Sequence, residues 1–424
     1  MSLEQVLAPL QVPKMVRIRQ TFPRPKLADI PQAVREALGH PQILGRIKRG
    51  DRVAVTAGSR GIANIALILR EVVANLKAVG AEPFIIPAMG SHGGATAEGQ
   101  VGVLQRLGIR EETVGAPIYA GMDVAYLGES AGGIPVYFDK IAATQADVTV
   151  VVGRIKPHTS FRGAFESGLA KMIAIGLGKQ KGAEICHAAG PEHMSPRIED
   201  VARTAMVKAN VIFGVGILEN AYDETSKIVA LSREEILAQE PELLREARAN
   251  LPQILFPEYD VLIVDEIGKN ISGLGMDTNI INRFPTPAVK CEPTLQRIVV
   301  LDITEETHGN VHGLGLADVC TKRVFEKIDF AQTYPNPLTS RVPEASKIPM
   351  VMPSDRLAIQ AAMQTCCDVD YNTIKMVRIK NTLKLDEILI SEHLLAQARL
   401  DSRIEIIGDP QPMHFTESGD LLKP

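Results

Sequence analysis

The stretch DRVAVTAGSRGIANIALILREVVANLKAVGAEPFIIPAMG (51–90) decides the fold. Its opening, DRVAVTAG (51–58), is a short β-branched run that ends in glycine. ANIALILREVVANLKAVG (63–80) follows with apolar residues at helical spacing and a closing glycine. EPFIIPA (82–88) is strand-like again, and the stretch after Thr96 suits a helix. Downstream the alternation continues. ADVTVVVGRI (146–155) is a buried-strand candidate, GLAKMIAIGLG (168–178) and SPRIEDVARTAMVKA (195–209) are helix-like, and VIFGVGILEN (211–220) is another strand. Such alternation predicts parallel strands with crossover helices on both faces of the sheet.

A long charged helix is predicted from Ser232 to Asn250, with Ser232 and Glu235 spaced as a capping box. Pro252 and Pro257 then punctuate LPQILFPEYD (251–260), which marks a domain boundary. A second α/β round begins with YDVLIVDEIG (259–268) and QRIVVLDI (296–303). It continues through a helix at 354–365, the strand KMVRIK (375–380) and a helix at 391–399. The polar tail after Pro410 reads as a loosely held arm. The expectation is two α/β domains with mainly parallel sheets and the active site in the cleft between them. Residues 1–257 would form a cofactor-binding catalytic domain, and residues 258–424 a domain closing over the site.

Length and charge limit the function classes. A chain of 424 residues exceeds a typical single core. A net charge of -4 gives no basic footprint for nucleic acid. No apolar run approaches the roughly 20 residues needed to cross a bilayer. MSLEQVLAPLQVPK lacks a signal-peptide pattern, so a cytoplasmic location is expected. Cys186, Cys291, Cys320, Cys366 and Cys367 show no CxxC spacing, and buried, inert thiols are their default reading.

In open α/β sheets ligands bind beyond the carboxyl ends of strands, so strand-exit loops are where chemistry is sought. TAGSRGIAN (56–64) presents Arg60 just before a helix. Amide groups at a helix N-terminus plus a guanidinium suit a carboxylate or phosphate, although a solvated loop arginine is as good a reading. AMGSHGGATAEG (88–99) sets His92 among glycines, and GRIKPHTSFRGAF (153–165) sets His158 after a proline. Two imidazoles on one sheet edge could exchange a proton with one ligand near neutral pH, or each could simply be solvated. Lys171 has small or apolar neighbours throughout GLAKMIAIGLG, where it either snorkels outward or is kept for covalent chemistry. His187, in GAEICHAAG, is either a metal ligand or a satisfied core histidine.

Two further patterns carry less. THGNVHG (307–313) places His308 and His312 at HxxxH spacing, but its glycines oppose a helix and the zincin glutamate is missing. DEIGKNISGLGMDTN (265–279), with Lys269, Asn270 and Asp277, lacks a dinucleotide fingerprint and reads as a surface loop or a polar lid.

Taken in order, GSHGGATAEG, KPHTSFRG, GLAKMIAIGLG and ICHAAG resemble the nickel-dependent lactate racemase family across nearly the whole chain. The resemblance implies a nickel-pincer nucleotide bound covalently through Lys171, with His187 as the nickel ligand. It implies His92 and His158 as the proton-transfer pair and Arg60 as the anchor for the substrate carboxylate. Lys269 would add a substrate contact from the second domain. The sequence departs from the family at Ser59-Arg60-Gly61, where a Thr-Arg-Pro context is usual, and in the GKNISGLGMD loop. Both departures fall near the substrate, so the cofactor carries over further than lactate does.

The implied chemistry is inversion of a 2-hydroxy acid, with proton loss from the hydroxyl coupled to hydride transfer. That route needs a base for each enantiomer, an electrophile between them and a carboxylate anchor. A planar nickel site suits soft donors with one imidazole. The protein supplies position and electrostatics around the cofactor. The basic stretch GLGKQKG (176–182) is a candidate cradle for the nucleotide phosphate. Expected partners are the small hydroxy-acid substrate and cofactor-maturation proteins, with neither nucleic acid nor membrane. The competing readings are a nicotinamide-dependent oxidoreductase and a non-catalytic carrier of the nickel cofactor.

Overall fold

The computed structural model describes residues 2–287, 289 and 295–422. It divides into two compact units: Pro23–Leu251, and a second made of Met1–Phe22 with Pro252–Pro424. The sequence reading ran the first domain from residue 1 to 257. The difference at the N-terminus has a specific cause. Strand Met15–Gln20 pairs antiparallel with Glu387–Ser391 on one side and Ile404–Ile406 on the other. A strand gives its backbone groups to whichever edge completes them, and periodicity does not reveal which edge that is.

The unit Pro23–Leu251 carries Arg60, His92, His158, Lys171 and His187. Its strands are β1 (Arg52–Ala57), β2 (Glu82–Pro87), β3 (Val124–Glu129), β4 (Pro135–Asp139), β5 (Val148–Arg154), β6 (Val211–Glu219) and β7 (Thr225–Ser232). Five of them form one sheet in the order β2-β1-β5-β6-β7. All neighbours are parallel except the β6–β7 pair. Strands β3 and β4 form a separate antiparallel hairpin that the sequence reading did not separate out.

Its main helices are α1 (Ile30–Leu38), α2 (Ile65–Ala78), α3 (Ala97–Arg106), α4 (Lys179–His187), α5 (Met194–Lys208) and α6 (Arg233–Ala249). Helix α6 starts at the predicted capping box, with Glu235 accepting from the Ser232 amide at 2.9 Å.

The sheet is covered on both faces, which explains its nearly continuous apolar strands. Val53, Val55, Val150 and Val152 point to one core with Ile68 and Val72 of α2. Ala54 and Val151 point to the other, with Ala170, Ile173 and Ile198. On that second face small residues admit a close approach. A Cβ at Gly153 would lie 3.0 Å from Met172, and one at Gly214 would lie 2.8 Å from Leu169. The segment carrying Lys171 therefore lies directly on the sheet. It is a single α-turn, Leu169–Lys171, that opens into a π-helical turn over Met172–Gly176.

The other unit is built on an eight-stranded sheet. Val261–Val264, Arg297–Val300, Val319–Thr321, Met350–Met352 and Met376–Ile379 are mutually parallel where they pair, and the remaining pairings are antiparallel. Both sheets fit the mainly parallel α/β expectation. The tail after Pro410 is not a loose arm. Gln411 bridges to Met15, Leu421 donates to Asp355 at 2.8 Å, and Arg356 lies over the Phe415 ring. Its polar composition hid these anchors. Among the described residues no helix is long and apolar enough to cross a membrane.

Candidate active site

The strand order identifies the site before any side chain is considered. From β1 the chain moves outward to β2, then returns to β5 on the opposite side of β1. That reversal makes the carboxyl ends of β1 and β5 a topological switch point, where open α/β sheets bind ligands. The loop leaving β1 carries Arg60, the loop leaving β2 carries His92, and the loop leaving β5 carries His158.

Arg60 and His92 are in contact. His92 Nδ1 lies 2.5 Å from Ser59 Oγ, and its Nε2 lies 3.5 Å from the Arg60 guanidinium. A guanidinium only donates, so Nε2 accepts and Nδ1–H donates to the serine. The His92 turn needs left-handed backbone at Gly90, Gly93 and Gly94, which explains the glycines around the imidazole. Thr96 then caps α3 by accepting from the Gly99 amide at 3.0 Å. Burial, with Arg154 nearby, pulls the Arg60 guanidinium down to about 10. Arg154 is itself paired with Glu219.

His158 is organised by a residue absent from the sequence reading. Glu166 is fully buried and accepts from the His158 amide at 2.6 Å and the Gly163 amide at 3.1 Å. Arg248 compensates its charge at 2.7 Å. The Ser160 amide donates to His158 Nδ1 at 3.1 Å, which leaves the neutral ring protonated on Nε2. Burial, then the charges of Lys171 and His187, hold His158 well below the usual imidazole range. Its ring stacks on buried Phe161 at 4.2 Å between centroids, and the Lys171 ammonium lies 5.7 Å over the same ring. Phe161 is thus a shared platform for both groups. An aromatic inside KPHTSFRG was the available signal.

Lys171 sits at the junction of the α-turn and the π-turn, a distortion that recurs at functional sites. Burial and the neighbouring Arg60 bring its amine down to about 7, against an opposing influence of Glu166. Buried Glu240 on α6 secures the start of this segment by accepting from the Ala170 amide at 2.9 Å. His187 closes α4, and its Nδ1 lies 2.7 Å from the Ala183 carbonyl oxygen. A carbonyl can only accept, so Nδ1 carries the proton and Nε2 the lone pair. Metal-binding histidines are commonly oriented in this way.

The structure thus brings Arg60, His92, His158, Lys171 and His187 into one cluster through these contacts and mutual fields. Lys269 belongs to the other unit, where its Nζ donates to the Gly273 carbonyl at 2.6 Å. The phosphate cradle assigned to GLGKQKG needs correction. Lys179 is fully buried and paired with Asp139 at 2.8 Å, so its charge is turned inward. His308 lies exposed in a left-handed turn, and buried His312 meets Ser346 Oγ at 2.9 Å, so THGNVHG is a loop. Cys186, Cys320 and Cys366 are buried free thiols, Cys367 is exposed, and Cys291 lies outside the described residues. Among the described residues no three His, Cys, Asp or Glu side chains gather as a metal cage.

Fold and cluster together define a two-unit α/β protein with a cationic, imidazole-rich site at a sheet switch point. Residues 8–197 match the family model of the lactate racemase N-terminal domain. That match covers less than half of the chain. Among solved structures it is similar to the lactate racemase apoprotein from Thermoanaerobacterium thermosaccharolyticum. That likeness has a TM-score of 0.54 at 15% identity, covering 88% of this chain and 99% of that one. It is also similar to a protein from Thermotoga maritima, with a TM-score of 0.51 at 13% identity, covering 86% and 99%. At such identities the likeness is one of fold. No curated protein matches the chain.

Proposed function

We propose that the protein is a racemase or epimerase of a 2-hydroxy acid that works with a nickel-pincer nucleotide held on Lys171. The observation that carries this reading is the convergence of Arg60, His92, His158, Lys171 and His187 at one sheet edge. The residues present suit that cofactor. An amine brought to about 7 is substantially unprotonated at neutral pH and able to form a covalent bond. The His187 ring is fixed with its lone pair on Nε2, ready for a metal. When bound, the cofactor supplies a hydride acceptor that later returns the hydride.

The chain's own residues supply the rest. Arg60 holds the substrate carboxylate by charge-assisted hydrogen bonds. His92 and His158 take the hydroxyl proton, one for each enantiomer, and return it after the carbon has presented its other face. The cationic surroundings from Arg60, Lys156 and Arg162 favour an anionic substrate, and burial with Lys171, His187, Lys156 and Arg162 disfavours extra protons on His158. Maturation proteins that deliver the cofactor are the expected partners, and the cytoplasm the expected location.

The test is intact-mass and metal analysis of the full chain after expression in a host that makes the cofactor. The expected result is a mass adduct mapped to Lys171 with nickel at equal stoichiometry. Racemisation of single-enantiomer hydroxy acids should accompany it. No adduct and no nickel under those conditions would overturn the proposal. Adduct without racemisation would point instead to a carrier, and turnover with added NAD to a nicotinamide enzyme.

A further inference from the structure

Lys179 is a buried lysine that the proposed chemistry does not use. Its backbone is left-handed, with φ of 53°, a conformation that side chains other than glycine adopt rarely. Its ammonium has three donors; it meets two hydrogen-bond acceptors and forms an ion pair with Asp139. Pro87 O lies at 2.6 Å, Gln100 Oε1 at 3.3 Å and Asp139 Oδ2 at 2.8 Å. Gln100, also buried, is equally committed. While its oxygen faces Lys179, its Nε2 donates to the carbonyls of Gly90 at 2.9 Å and His92 at 3.2 Å. This fixes the amide's orientation, because a flipped amide would set NH2 against the ammonium. Asp139 uses its other oxygen to cap the Ala142 amide at 2.9 Å.

The network joins two parts of the candidate site. Lys179 is the first residue of α4, the helix that ends on His187, and Gln100 grips the carbonyls on either side of Ser91 in the His92 turn. Backbone packing reinforces the junction. The Gly90 amide donates to Gly176 O at 3.2 Å, and a Cβ at Gly176 would lie only 2.7 Å from Ala88 O.

We propose that Lys179, Gln100 and Asp139 are positioning residues, a buried brace that fixes His92 relative to the helix carrying His187. None of the three is placed against substrate. The inference rests on His92 being a proton-transfer group, and it replaces the phosphate-cradle reading of GLGKQKG. A buried ion pair tied into hydrogen bonds to the Pro87, Gly90 and His92 carbonyls resists displacement, because moving it breaks those bonds in a poorly solvating interior.

The test uses the full-length chain with nitrogen-15-labelled histidine, compared with Gln100→Glu and Gln100→Met. Glutamate keeps the size and an acceptor for Lys179 but removes the donors to the Gly90 and His92 carbonyls. Methionine removes both halves of the amide. In the wild type the His92 ring nitrogens should show a single Nδ1–H tautomer, assigned by its loss in His92→Ala. In both variants that signature should collapse toward an exchange average. In cofactor-loaded enzyme, kcat should fall by about 100-fold, as expected for a misplaced catalytic group, with KM and the Lys171 adduct unchanged. A protected Lys179 ammonium resonance in the unmutated chain provides a check that needs no variant, and its absence would overturn the brace. An unchanged His92 signature in a folded variant would overturn it as well. Retained racemisation in His92→Ala would instead sink the catalytic reading, and the ring-nitrogen signature would still decide the brace.

Discussion

The loop after β2 holds His92 by uncharged groups, with Ser59 on the ring and the Gln100 amide on its backbone. The loop after β5 holds His158 by a buried carboxylate, Glu166, whose charge is compensated by Arg248. The two imidazoles also differ in tautomer. His92 directs its Nε2 lone pair toward Arg60, whereas neutral His158 carries its proton on Nε2. One strand exit thus offers an acceptor and the other a donor, on either side of β1. In the proposed reaction each imidazole acts in turn as base, so His158 accepts the hydroxyl proton only once its ring gives up the Ser160 contact. Here the unlikeness comes from how each loop is braced, since both loops present the same residue type.

The largest expected effect tests whether the pair is a pair. Alanine at His92 or at His158 should lower racemisation by roughly 100- to 10,000-fold, the usual range for general acid–base groups, with the Lys171 adduct retained. Chiral chromatography of the product would read this, and loss at only one position would break the symmetry of role. Next is the ionic brace. Glu166→Ala leaves Arg248 without its partner and the His158 and Gly163 amides without their acceptor. Chemical denaturation should show a loss of about 3 kcal/mol, because two amides lose their buried acceptor at about 1–3 kcal/mol each, while Arg248 is partly exposed and adds little.

Glu240 provides a smaller effect with a defined pH signature. Burial raises its carboxyl to about 7, above its value in an unfolded chain. The folded state therefore binds the extra proton between the two values, and the native protein loses stability as pH rises through that window. Glu240→Gln can still accept from Ala170 but has no charge to desolvate. Its advantage over the wild type should grow to about 1–3 kcal/mol between pH 4.5 and 7 and then level off, as followed by thermal melting.

The Lys171 amine sharpens the electrostatic side. In cofactor-free protein its acylation should be half-maximal near pH 7, measured by mass spectrometry of the labelled peptide. Glu166→Gln should move that midpoint lower, because Glu166 favours the charged amine. An upward move would contradict the assigned field. The smallest effect belongs to Ser59→Ala. Losing one hydrogen bond to His92, worth about 1 kcal/mol, should cut kcat less than tenfold.

Periodicity in 51–90 and 146–220 determined an α/β sheet with crossover helices, because strands covered on both faces must be apolar along their length. Local composition flagged Arg60, His92, His158, Lys171 and His187 as candidates, each with an equally good bland reading, and their order and surroundings, set against the lactate racemase family, gave them roles. What the sequence could not carry was everything that depends on partners distant in the chain. Glu166 and Glu240 looked like ordinary charged residues until burial revealed them as anchors. Lys179 looked like a phosphate ligand until two acceptors, from Pro87 and Gln100, and the paired Asp139 carboxylate turned it inward. The strand Met15–Gln20 found its place only through its pairing with Glu387–Ser391. Side-chain chemistry is written locally. Its orientation and charge state are set by desolvation and by hydrogen bonds that close only when remote segments meet, so only the tertiary structure decided them.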